Sequence, residues 1–178
     1  MYESIMKSKT ITTTRFNNET FHQNQSYVKK TCIRGCIYGT PIKMKLNIPL
    51  ETSVYVIEMN NDRNKIEGIG LVNNRLVLDK NYRIYKDMDY NRYIYKGIHR
   101  LDVATIDDEY NKRVISVMEH LLFKGERHCK RGQGITRLSG WIMNNKHNFD
   151  FIKCFDEMFN KYIFKQYANI RTTNNLKL

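Results

Sequence analysis

Apolar positions follow two rhythms along this chain. From Thr52 to Met59 the run is β-branched and apolar, as in a buried strand. Ile66 to Val72 is apolar again, and the Asn/Asp cluster at Asn60 to Asn64 between them supplies side chains that tolerate positive φ and close turns. Gly68 and Gly70 lie two residues apart and so share a face of the second strand. A bulge or sheet corner is the favoured reading of that pair, and a ligand-facing wall the other. Upstream, Cys32 to Tyr38 is a short apolar run broken by Gly35 and closed by Gly39, Thr40 and Pro41. Ile42, Met44, Leu46 and Ile48 alternate with Lys43, Lys45 and Asn47, which predicts a half-buried strand with a basic outer face, ended by Pro49. Leu76 to Leu78 adds a short strand, and Tyr82–Lys86 with Arg92–Arg100 flank the turn-prone Asp87–Asn91 as a hairpin.

Helical spacing governs three other stretches. Asn17 or Asn18 caps a short helix over Glu19–Lys30, with Phe21 and Val28 on its inner side. Asp107 or Asp108 caps a second helix that runs to about Lys124, where Gly125 stops it. Tyr110, Val114, Val117, Met118, Leu121 and Leu122 form its expected core stripe. A last helix starts after Asn148 with Phe149, Ile152, Phe155, Phe159 and Ile163 on one side. Residues 1–15, rich in Thr, Ser and Lys, read as a flexible lead-in, and residues 166–178 as a flexible tail. A single α+β domain over residues 16–165 remains, with an N-terminal helix and two C-terminal helices.

Charge adds information about partners. The net charge of +12 is uneven: residues 1–50 carry +6, residues 51–110 carry −2, residues 111–147 carry +6 and residues 148–178 carry +2. Localised basic excess is the footprint of a protein that binds nucleic acid or another anionic surface. Asn, Lys, Ile and Tyr are abundant while Ala occurs only at Ala104 and Ala168, a bias that an AT-rich genome explains. No apolar run reaches the roughly 18 residues of a membrane span. The polar N-terminus lacks a signal-peptide core, so an intracellular, non-secreted protein is expected, with Cys32, Cys36, Cys129 and Cys154 as free thiols. Cys32, Cys36, His128 and Cys129 are too loosely spaced to predict a metal site, and no cofactor is expected.

Two segments carry the candidate chemistry. Lys124 to Ile135 places Arg127, His128, Lys130 and Arg131 before Gly132, Gln133 and Gly134. Glycines let successive N–H groups face an anion while the cations attract it, although the order is neither a Walker A loop nor a dinucleotide fingerprint. In the hairpin, Tyr82, Tyr85, Tyr93 and Tyr95 interleave with Arg83, Lys86, Arg92, Lys96 and Arg100, which sets rings for base stacking beside cations for phosphate. Arg92, Tyr93, Tyr95, Lys96 and Arg100 are the candidate contacts, or else the tyrosines are packing residues. Trp141 either anchors the loop or walls a base pocket. The reading that follows is a non-enzymatic nucleic-acid-binding module, with RNA or a single strand favoured. A nuclease using His128 or His99 as base and Glu58 or Glu67 as acid or metal group is the alternative, and a structural protein that condenses polyanions is a third.

Four blocks also carry a resemblance. Gly35–Gly39, Glu58–Asn61 with Ile66–Val72, Asn91–Gly97 and His128–Ile135 together resemble an uncharacterised family of nucleocytoplasmic large DNA viruses, the giant-virus group. That likeness implies a viral protein in the host cytoplasm, the viral factory or the virion. A basic strand, Pro49, a buried strand and a Gly-x-Gly strand are similar to the first half of PUA-like domains such as ASCH, EVE and YTH. This second likeness implies a small mixed or antiparallel β-barrel and RNA or modified-base binding, without the tryptophan cage of YTH domains.

Overall fold

The computed structural model describes residues 9–45 and 47–162. The tail expected at 166–178, Ile163, Leu46 and residues 1–8 lie outside the described residues. The elements run β1 (Lys9–Phe16), α1 (Asn18–Lys30), β2 (Cys36–Thr40), β3 (Ser53–Asn60), β4 (Lys65–Asn73), β5 (Tyr93–Gly97), β6 (His99–Asp102), α2 (Glu109–Phe123), β7 (Thr136–Arg137) and α3 (Gly140–Met143). Residues 151–162 form a further helix, α4.

Among the described residues a five-stranded sheet has the order β6-β4-β3-β1-β7, and β2 with β5 makes a separate two-stranded sheet. β1 runs parallel to β3, and the other pairings are antiparallel. The larger sheet ends at β6 and β7, so the fold is α+β with an open sheet and is not the barrel expected from the PUA-like resemblance. Alternation along β3 sends Tyr55, Ile57 and Met59 to one face and Val54 and Val56 to the other. The first face meets α2, α3 and α4, where Tyr55 packs its ring on Phe155 and Phe159 at 5.6 and 5.0 Å. The second meets β2, β5 and α1 around Ile37, Tyr38, Ile94 and Tyr95.

Several expectations fail for identifiable reasons. Residues 9–15 are no flexible lead-in but most of β1, and the folded domain therefore begins before residue 16. Its Thr-rich run suits a strand because β-branched residues pack on a pleated surface and their hydroxyls find partners. Thr12 Oγ1 donates to the Tyr55 carbonyl at 2.9 Å, and Thr13 and Thr136 hydroxyls lie 3.3 Å apart. Residues 42–45 and 47–48 form no strand. Met44 and Ile48 still plug into the core, but the backbone takes side-chain partners: Met44 N donates to Tyr95 Oη, and Asn74 Nδ2 donates to the Ile48 carbonyl. Leu76–Leu78 is likewise irregular.

The tyrosine hairpin does not form either. β5 pairs with β2, in the register Tyr38↔Tyr95, while residues 82–86 are held by the amide of Asn91. Asn91 Oδ1 accepts from Ile84 N and Tyr85 N, and its Nδ2 donates to the Tyr85 carbonyl, which stands in for a strand partner.

Helix termini follow the predicted caps. Asn17 and Thr20 form a capping box on α1, and Asp108 Oδ1 accepts from Asn111 N at 2.8 Å to cap α2. The core face of α2 is rotated from the expected stripe: Val114, Ile115, Met118 and Leu122 are buried, whereas Tyr110 and Val117 are exposed.

The paired glycines of β4 have a specific occupant. A Cβ on Gly68 would sit 2.5 Å from Arg100 Nη2 and 2.8 Å from Glu58 Oε2, and one on Gly70 would sit 2.1 Å from Tyr38 Oη. Glu58, fully buried, accepts from Arg100 Nε at 3.0 Å and Nη2 at 2.6 Å, and from Tyr38 Oη at 2.7 Å. The ladder shifts register between Glu58 and Met59, so a bulge lies beside this cluster. Burial alone lowers the guanidinium's pKa, but the Glu58 carboxylate outweighs it and holds Arg100 above its usual range. Burial first, and Glu58 second, push the neighbouring Cys36 thiol up to about 12.

Two measurements check these energetics. Arg100→Met leaves a buried carboxylate unpaired, and urea denaturation should show a loss of about 3–5 kcal/mol. Glu58→Leu combined with Arg100→Met should recover most of that loss, because the pair's desolvation cost vanishes with it. The second concerns Asp108. Burial raises its pKa, but Lys161 Nζ at 2.8 Å, Asn111 and Tyr162 Oη at 2.8 Å outweigh this and hold the carboxyl well below its ordinary range. The folded state therefore binds fewer protons than the unfolded chain below about pH 4, and the stabilisation is lost as pH falls through the folded pKa. Wild-type urea midpoints should drop more steeply than those of Asp108→Asn as pH falls below about 4. Parallel profiles would contradict the assignment.

Candidate functional site

β1 ends where the two layers meet, and its last residues open onto a cavity of about 260 Å³. Thr14, Arg15 and Phe16 line it, together with the cap residue Asn17 and Thr20 of α1, and with Gly39 and Thr40 of β2 and the following Pro41. Lys130, Gly132, Gln133 and Gly134 close it from the basic loop, with Asn61, Tyr85 and Tyr90 completing the wall. The volume lies just under the roughly 300–1,000 Å³ usual for drug-sized ligands, so a small group is the natural scale of occupant.

Three anchors place the loop. Arg15 Nε donates to the Cys129 carbonyl at 2.8 Å and Nη1 to Thr136 Oγ1 at 2.9 Å. Asn61 Nδ2 donates to the Lys130 carbonyl at 3.0 Å. Gly132, at φ 133°, lies over the Arg15 guanidinium so closely that a Cβ there would be 3.1 Å from its Cζ. That conformation favours glycine, and a Cβ there would crowd the guanidinium.

The electrostatics of this wall are one-sided. Arg15 is half-buried, burial pushes its pKa down, and no carboxylate pairs with it among the described residues. Lys130 likewise has no acidic partner there. Lys9, Arg63, Lys65, Arg75, Lys86, Arg92, Arg100, Lys112 and Lys161 each face a carboxylate, whereas exposed cations such as Lys29, Lys96 and Arg127 also have no ion pair among the described residues, so Arg15 is distinguished by its burial. The cavity wall contains no Asp, Glu, His or Cys. Asn61 Oδ1 is buried and has no hydrogen-bond partner.

Residues singled out from the sequence divide between this cavity and elsewhere. Lys130, Gly132, Gln133 and Gly134 line it, while Arg127 and Arg131 are exposed on the same loop. His128 accepts the Lys130 N–H through Nδ1 at 3.3 Å. The other group is dispersed. Arg100 is committed to Glu58, Arg92 Nη2 lies 2.7 Å from Asp89, and Tyr95 is buried with its hydroxyl accepting from Met44 N. Tyr93 sits 5.5 Å beneath Lys43, and Lys96 is exposed on β5. Trp141 lies on α3, beside Ile142 of the helical layer, and does not line the cavity.

The two carboxylates named for hydrolysis are similarly committed, Glu58 to Arg100 and Tyr38, and Glu67 to Arg63 and Asn60, and none of Glu58, Glu67 and His99 lines the cavity. Among the described residues no group of three or more His, Cys, Asp or Glu side chains could hold a metal. No helix there is long and apolar enough to cross a membrane.

Arg15, Asn61 and Tyr90 are not among the residues that the sequence singles out, whereas Tyr85 belongs to the tyrosine–cation pattern of the expected hairpin. Arg15 lies in a Thr-rich run, and Asn61 and Tyr90 lie in turn-prone segments. No local pattern marks them, since the cavity exists only once β1, β2 and the loop meet. No family model matches the chain, and neither a curated protein nor a solved structure matches it, so the giant-virus and PUA-like likenesses, with the RNA-binding expectation drawn from them, find no support.

Proposed function

We propose that this chain binds single-stranded nucleic acid and catalyses no reaction on it. Phosphates run past Arg15, Lys130 and the 132–134 backbone, with the exposed Arg127 and Arg131 extending the path. The observation that carries this reading is the pair of cations without carboxylate partners at a glycine-lined cavity. A half-buried guanidinium with no counter-charge is a costly arrangement that an incoming anion relieves. The two basic segments of the chain, 1–50 and 111–147, supply Arg15 and the loop respectively, which accounts for why the excess charge is split in sequence. The wall offers no carboxylate, imidazole or thiol to act as general base, and this favours a binder over a nuclease.

The test is fluorescence anisotropy with a labelled single-stranded oligonucleotide across a salt series. Binding should weaken linearly in log–log form as salt rises. Lys130→Ala with Arg131→Ala should lower the slope by about 1–2. Folding stability should stay within about 0.5 kcal/mol, as for other surface changes. Arg92→Ala with Lys96→Ala should leave the affinity unchanged. Absence of binding at low salt, or equal losses from both double variants, would overturn the proposal.

A further inference from the structure

The cavity holds more than an anion needs. Tyr90 lines it and is 36% exposed, with its ring set against buried Tyr85 at a centroid distance of 6.1 Å and an angle of 69°. Tyr85 is itself fixed, since its hydroxyl accepts from Asn24 Nδ2 at 3.1 Å. The support beneath Tyr90 is therefore a buried, hydrogen-bonded ring. Gly39 makes this packing possible, because a Cβ there would lie 2.3 Å from the Tyr90 carbonyl oxygen and 3.1 Å from the Tyr85 ring. Asn61 also contributes to the wall, with its amide orientation set by the Nδ2 bond to Lys130, which leaves Oδ1 buried and without a donor. An acceptor stranded in this way costs on the order of 1–3 kcal/mol, which a ligand N–H can recover. A phosphate carries neither a π face nor a nitrogen donor. A nucleobase carries both.

We infer that the cavity takes one unstacked nucleobase of the bound strand, resting against Tyr90, with a base N–H directed to Asn61 Oδ1 after a small shift of the Lys130 segment. This inference rests on the binding mode proposed above and adds the base as a second recognition element. Arg15 and Lys130 hold the adjoining phosphate, so base and backbone are read at one place. Stacking of this kind tolerates any base, because each has a π face, while the Asn61 acceptor requires only that an N–H remain on the edge presented.

The experiment compares three oligonucleotides of equal length and charge: oligothymidine, the same sequence carrying 3-methylthymine, and a backbone of abasic sites. Anisotropy at fixed salt should give oligothymidine about fivefold or more tighter binding than the abasic strand. The 3-methylated strand should fall between them, since it keeps the ring but has lost its N–H. Tyr90→Ala should bring oligothymidine close to the abasic value, and Asn61→Leu should abolish the difference between oligothymidine and the 3-methylated strand. Circular dichroism of both variants establishes that they are folded, and the Tyr90 variant, whose ring is partly exposed, decides the matter should the Asn61 variant unfold. Equal affinity for all three strands would overturn base capture while leaving phosphate binding intact. No binding of any strand would instead overturn the parent proposal. Thymidine monophosphate binding as tightly as the oligomer would overturn the assignment of the base to a strand.

Discussion

The Glu58–Arg100 ion pair sits between the two sheets and constrains both. It ties β3 to β6 through the pair itself and reaches β2 through the Tyr38 hydroxyl. Gly68 and Gly70 leave the volume these groups occupy, so the absence of two side chains on β4 is matched by the presence of four elsewhere: Glu58, Arg100, Tyr38 and Cys36. Such a cluster contributes little net stability relative to apolar replacements, but any partner left alone is strongly unfavourable. Its consequence is positional. β2 can lie only where Tyr38 meets Glu58, and its far end, Gly39 to Pro41, is then carried to the end of β1.

That placement creates the cavity. β1 lies parallel to β3, so Phe16 ends beside Asn60 and the following turn brings Asn61 alongside. Asn61 N donates to the Phe16 carbonyl at 2.8 Å, and its side chain holds Lys130, while Arg15 holds Cys129 and Thr136. The basic loop is thus fastened at several points, although two of its glycines have positive φ. A loop fastened this way presents its cations and N–H groups in a set geometry, which limits the ordering entropy that binding would otherwise cost.

Local features of the fold were readable where local physics decides them. The β3 and β4 strands, the turn that includes Asn64 at φ 53°, the Asn17 cap and the Asp108 cap all follow from apolar runs, turn chemistry and capping side chains. What was not readable depended on distant partners. β1 looked polar because its threonine hydroxyls are satisfied by β3 and β7, far along the chain. Residues 82–86 resembled a strand, yet one asparagine amide takes the place of the expected ladder. Arg100 looked like a phosphate ligand because a sequence shows the charge and hides a carboxylate 42 residues away. The loop at 127–135 was legible as basic and glycine-containing, but its partners Arg15, Asn61 and Tyr90 come from three other segments.

The proposed binding mode lays one strand of nucleic acid across the cavity at the end of β1. Ultraviolet crosslinking of a photoreactive single-stranded oligonucleotide, followed by mass spectrometry of the modified peptides, addresses it directly. Crosslinks should fall on the peptides containing Tyr90 and residues 130–134. Crosslinks confined to Trp141 or to residues 93–97 would place the strand elsewhere and contradict the account.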